Sequence, residues 1–258
     1  MQLDIGMVFS SLIGLFLLMG VGWVSVKTKI VPPAASAPMS SLLLKVTLPC
    51  TIFSSLATRE FDSAFLVDGV IIIVIGLVLF PLYAALSWGI SKVLKVPAGR
   101  RGIWSFGATF CNNGFMGFPV ALALFGEEGL ALAVMFGVPF NLLVYTLGVR
   151  MVCADCGTDA QPVNLVRTLL SNINIALILS LIFYVGQIPL PEALMTPVTH
   201  LSNVTTPLSM FVTGMTLASG KGTELFRDKD AYTATGMRLI VVPLLTWAVM
   251  SLLPCLPR

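Results

Sequence analysis

The chain has 258 residues, 57% hydrophobic and 10% charged, with a formal net charge of +3. An ordinary soluble domain carries about 25% charged residues, so this composition, with a mean hydropathy of +0.95, excludes a water-soluble fold. Apolar runs of about 20 residues match the thickness of a bilayer core, and they are too long and uniform for the ten-residue alternation of a membrane β-barrel.

The expected fold is an all-α integral membrane protein with eight spans, near 5–25, 37–57, 66–90, 103–125, 129–149, 168–187, 196–218 and 232–252. The first span is not a cleavable signal peptide, because no basic residue precedes it while Lys27 and Lys29 follow it. Placing the N-terminus outside gives the inward connections Lys27, Lys29, Lys92, Lys95, Arg100, Arg101, Arg150, Arg167, Lys221, Arg227 and Lys229. The outward segments keep only Arg59 and Arg258. Eleven against two is a strong positive-inside bias, so the charge reports topology in a plasma membrane, bacterial inner membrane by expectation. It gives no footprint for nucleic acid.

Span two carries Thr51 and Ser54, with Lys45 in its cytoplasmic third. Hydroxyls in such a helix can reach a substrate, but they also bond back to their own helix. Lys45 and its counterpart in span eight, Arg238, read as residues snorkelling to the inner interface, or as a vestibule gathering cytosolic anions. Asp68, at the outer start of span three, is the deepest acid, so a carboxylate-based proton coupling is disfavoured.

Span four holds "CNNGFMGFP" at 111–119. Glycine loosens a helix and proline deletes a backbone bond, and open backbone at membrane depth survives only against protein or a watery cavity. The stretch is therefore expected to break the span near its middle. The freed amides of Gly114 and Gly117, with Asn112 and Asn113 beside them and Pro119 closing the motif, then face a cavity suited to a carboxylate. Against this stands the plain reading in which each Asn bonds to a neighbouring helix.

The connection 151–167 divides the chain, and an internal repeat spans it. "VTLPCTIF" at 46–53 and "VTTPLSMF" at 204–211 agree at four of eight positions at an offset of 158. Pro81 in "VLFPLYA" then corresponds to Pro243 in "IVVPLLT". The halves are expected as a first repeat at 1–150 and an incomplete second at 168–258. An odd number of spans per half inverts one copy relative to the other, as in many secondary transporters.

Other chemistry is sparse. Cys153 and Cys156 form an isolated CxxC, and the single histidine, His200, falls at the outer end of span seven, so no zinc ligand set assembles. No catalytic motif or cofactor signature is present.

At these residues the chain resembles the auxin efflux carrier family. The likeness runs through "LPCTIFSSLA" (48–57), "NNGFMGFPVAL" (112–122), "FNLLVYTLG" (140–148) and "TPLSMFVTGMTLA" (206–218). It implies a ten-span carrier of five-plus-five inverted repeats, with a scaffold half and a mobile transport half. The implied substrates are small organic anions, such as auxin or a carboxylate, moved by alternating access. By resemblance, the substrate-contacting amide falls on Asn112 and the crossover proline on Pro119. Asn141 and Tyr145 fall on a polar pair facing the same cavity, and their i, i+4 spacing puts them on one helix face. The chain ends at "SLLPCLPR", so the family's second broken helix is expected outside it. That leaves a truncated chain, a partner supplying the rest, or a non-transporting subunit that binds a ligand or partner helices. A second copy is a further candidate partner.

Overall fold

A computed structural model describes residues 5–154, 171–220 and 228–252. Most of the 151–167 connection lies outside them, as do Cys156, Arg167, Lys221, Arg227, Cys255 and Arg258. Every regular element among the described residues is helical.

In chain order these are α1 (Ile5–Lys27), α2 (Ser36–Leu42), α3 (Leu48–Ala57), α4 (Ser63–Val93), α5 (Ala98–Thr109), α6 (Phe118–Leu143) and α7 (Val149–Cys153). After the connection come α8 (Asn172–Gly186), α9 (Glu192–Ser219), α10 (Lys229–Gly236) and α11 (Val242–Leu252). Five helical stretches are long and apolar enough to cross a membrane: Phe9–Lys27, Pro33–Ala57, Ser63–Val93, Ala98–Cys153 and Lys229–Ser251. The longest is interrupted twice, at 110–112 and at Gly126, whose φ of 66° turns the chain. Such a φ favours glycine, which has no Cβ to clash.

Prolines set the local shape. Three π turns, Leu43–Thr47, Asn113–Gly117 and Met237–Val241, each end two residues before a proline: Pro49, Pro119 and Pro243. A proline ring clashes with the carbonyl four residues back, and widening the preceding turn relieves that clash. The carbonyl released by Pro49 belongs to Lys45, and it accepts a hydrogen bond from Asn172 Nδ2 at 3.4 Å. Pro81 and Pro207, the repeat counterparts of Pro243 and Pro49, instead sit inside continuous helices.

Two compact units interleave along the chain. One comprises Met1–Ser63, Asn112–Gly137 and Leu170–Gly222; the other comprises Ala64–Cys111, Val138–Leu169 and Thr223–Arg258. The passage at Cys111–Asn112 coincides with the interruption of span four.

In the first unit α1 and α9 meet through glycines. A Cβ on Gly22 would lie 2.1 Å from the Phe211 carbonyl oxygen, and one on Gly214 would lie 1.9 Å from that of Met19. Small residues let membrane helices approach this closely. Val26 is buried with Met215 and Ala218 just beyond the crossing, so α1 and α9 run in the same direction. Helix α8 follows α3 in parallel: Asn172 meets Lys45, the Phe53 and Phe183 rings lie 5.4 Å apart, and Gln187 donates to the Arg59 carbonyl at 3.3 Å. Tyr184, fully buried, hydrogen-bonds both backbone groups of Asp62.

In the second unit Trp104, Val96, Ala108 and Met237 form a buried cluster, and Trp104 Nε1 donates to Thr233 Oγ1 at 3.0 Å. The Phe80, Phe110 and Phe140 rings pack on one another within 6.0 Å, fixing the residue that follows α5. Outside the spans, Arg100 pairs with Asp228 and, at 2.9 Å, with Asp230. Apolar side chains remain exposed along α1, α4 and α11, among them Leu17, Val74 and Trp247, as lipid-facing surfaces require.

Candidate functional site

The expected break in span four is present. Phe110 is extended (φ −101°, ψ 136°) and Asn112 is non-helical (φ −79°, ψ 71°) before the π turn restores the helix. The two adjacent amides have different tasks. Asn112 is exposed and its Oδ1 accepts the Phe115 N–H at 3.2 Å, while its carbonyl accepts those of Met116 and Gly117. It caps the resumed helix, as Asn does well.

Asn113 is buried, and its side-chain amide has no hydrogen-bond partner among the described residues. Glycines make its berth. A Cβ on Gly117 would come within 2.7 Å of Asn113 Oδ1, and one on Gly137 would stand 3.8 Å from its Nδ2. Gly114 faces the Leu48 side chain, which a Cβ would approach to 3.3 Å. The residue is largely buried, but its amide atoms are not fully enclosed, so a ligand or water can reach them.

Thr51, Ser54 and Pro119 come together at a cavity of about 340 Å³ in the first unit. Its polar lining includes, from α9, Thr199, Ser202, Asn203, Thr205 and Thr206, with Thr58 and Glu127 also lining it. Sequence reasoning missed these; for the α9 residues the available signal was the hydroxyl-rich run "THLSNVTTPLS" at 199–209. Asn112, Asn113, Gly114 and Gly117 are not among the lining residues.

Asn141 and Tyr145 belong to the second unit. Asn141 ends α6 and Tyr145 stands in the π turn Val144–Gly148, half exposed. His200 is exposed and Lys45 lies beside Asn172 in a shallow groove with Phe53 and Leu179. Arg238 donates to the Gly107 carbonyl at 3.4 Å. No cluster of three or more candidate metal ligands occurs among the described residues.

An all-helical chain with exposed apolar faces and five stretches able to cross a membrane is a multi-pass membrane protein. The chain belongs to the membrane transport protein family, that of the auxin efflux carriers, whose model matches residues 7–158 and 158–255. An uncharacterized transporter of Methanothermobacter thermautotrophicus is 26% identical over 212 residues, covering 81% of this chain and 67% of that protein. One of Methanocaldococcus jannaschii is 27% identical over 186 residues, covering 70% and 59%. The chain thus spans about three fifths to two thirds of the length of these relatives.

Proposed function

We propose that the protein is a secondary transporter of a small organic anion, a carboxylate or auxin-like molecule, working by alternating access in a plasma membrane with its N-terminus outside. The observation that carries this reading is the largely buried Asn113 at the break of span four, whose amide keeps enough exposure for a ligand to reach it. An amide nitrogen offers two donors and no net charge, so it can grip a carboxylate and release it. Backbone N–H groups at the resumed helix add a partial positive charge. Asn113, Asn112, Gly114 and Gly117 form the anion-gripping part, Pro119 maintains the break, and Asn141 and Tyr145 are assigned as substrate-contacting residues of the second unit.

The inverted repeat is part of the proposal, and helix packing supports it. The first helix of each half, α1 or α8, lies parallel to the second-span helix of the other half, α9 or α3. The two second-span helices cross antiparallel, with Thr51 against Thr205 and Ser54 against Ser202. A two-fold axis in the membrane plane produces that pattern, and it agrees with eight spans in alternating directions.

Reconstitution of the full chain in vesicles, followed by flux of labelled mono- and dicarboxylates, tests the function. Saturable flux of at least one is expected, reduced by Asn113→Ala. Absence of saturable flux across the panel would overturn it.

A further inference from the structure

On the side of the first unit where α3 meets α8, we infer a binding site for one anionic phospholipid. A groove of about 310 Å³ runs between the two helices, from Lys45 and Asn172 at one end to Phe53 and Leu179 at the other, a length of about 12 Å along span two. Its walls between these ends are apolar, with Pro49 and Ile175 among them. Beside the far end the Phe53 and Phe183 rings meet edge to face at 5.4 Å. Lys45 is exposed and makes no ion pair or side-chain hydrogen bond among the described residues. Asn172 donates its Nδ2 hydrogen to the Lys45 carbonyl at 3.4 Å. The Lys45 ammonium is therefore the one charge among the described lining residues, and no acid faces it there.

The depth of that charge selects its partner. Thr51 faces Thr205 across the antiparallel crossing of α3 and α9, and α9 continues from Thr205 to Ser219. Counting about 1.5 Å per residue, Lys45 stands roughly 12 Å short of the level where α9 ends, on the side where α1 finishes at Lys27. A cation at such depth pairs or snorkels. The counter-ion a bilayer itself supplies is the phosphate of a lipid, whose acyl chain the apolar groove then receives. Basic pockets between membrane helices hold anionic head groups in this way. A second copy of the chain fits less well: a two-fold contact presents the same patch to itself, and this patch has no acid to offer Lys45. The inference needs only a bilayer and stands apart from the transport reading.

Native mass spectrometry of the full chain in detergent tests this with phosphatidylglycerol and phosphatidylcholine of identical acyl chains. One phosphatidylglycerol per chain should be retained in preference to phosphatidylcholine. Lys45→Gln should weaken phosphatidylglycerol binding about five-fold and leave phosphatidylcholine unchanged, while Lys45→Arg keeps the preference. Lys27→Gln, which removes an ammonium lying over the Trp23 ring at 5.7 Å, should bind as wild type. Excess glycerol phosphate should not displace the lipid, because it has no chain for the groove. Equal retention of both lipids by wild type overturns the inference, as does an unchanged preference in Lys45→Gln or an equal loss in Lys27→Gln. Displacement by glycerol phosphate would overturn it in favour of a small-anion site. A lipid-free dimer that dissociates in Lys45→Gln would overturn it in favour of a second copy.

Discussion

Thr51 Oγ1 donates a hydrogen bond to Thr205 Oγ1 at 2.7 Å, joining α3 to α9 across 154 positions of sequence. With Ser54 and Ser202 one helical turn away, it fixes the crossing as antiparallel. Paired substitution tests this register. Ser54→Cys with Ser202→Cys, in a chain whose native cysteines are replaced, should form a disulfide on mild oxidation, since oxygens 3.1 Å apart place the Cβ atoms near the required spacing of about 3.8 Å. A parallel crossing would instead join Ser54→Cys to a position beyond Thr205, and the first pair would stay reduced.

The α1–α9 contact predicts a sharp contrast between glycines. Gly214→Ala forces a Cβ into the Met19 carbonyl and should destabilise the protein by about 1–3 kcal/mol, read as a lower melting temperature in detergent. Gly20→Ala, with nothing within 4 Å of the new Cβ, should leave the melting temperature unchanged or slightly raised. Equal effects would mean that the close approach is absent.

The neighbouring amides of the break can be separated. Asn113→Ala removes a donor without breaking any hydrogen bond within the described protein, so its folded yield should hold while apparent affinity for the transported anion falls roughly ten- to a hundred-fold. Asn112→Ala loses a helix cap worth about 1 kcal/mol, and its melting temperature should drop. Asn112→Asp restores the cap but adds a negative charge. Wild-type stability with wild-type affinity in Asn112→Asp would confine Asn112 to capping, whereas wild-type stability with lost affinity would place it against the anion.

The ion pair outside the spans carries a pH signature. The hydrogen bond from Arg100 is the main cause that holds the Asp228 carboxyl below the ordinary carboxylate range, and the Asp230 N–H adds to it. A depressed folded value gives stabilisation that is present above the unfolded value of about 3.9 and lost as pH falls through the folded value. Wild type should therefore melt above Asp228→Asn at neutral pH, with the gap closing in acid. The substituted side chain keeps an oxygen for the cap on Asp230, so the gap reports charge. A gap that stays constant into acid would sink this account.

The sequence by itself determined the membrane class and the place where span four breaks. Both follow from local chemistry: uniform apolar runs need lipid, and asparagines, glycines and a proline within nine residues cost a helix its bonds wherever it is packed. Two further π turns, Leu43–Thr47 and Met237–Val241, likewise end two residues before a proline, whereas Val144–Gly148 does not. Tertiary structure alone decided which way side chains are used. Asn112 and Asn113 look alike in sequence, yet one caps its own helix, while the other enters a berth completed by Gly137, 24 positions away. Thr51 and Ser54 could have bonded only to their own helix; Ser202 and Thr205 made them part of a chain between helices. A residue's backbone cost is set by its neighbours in sequence, but the partner of its polar atoms is set by whichever helix packs against it.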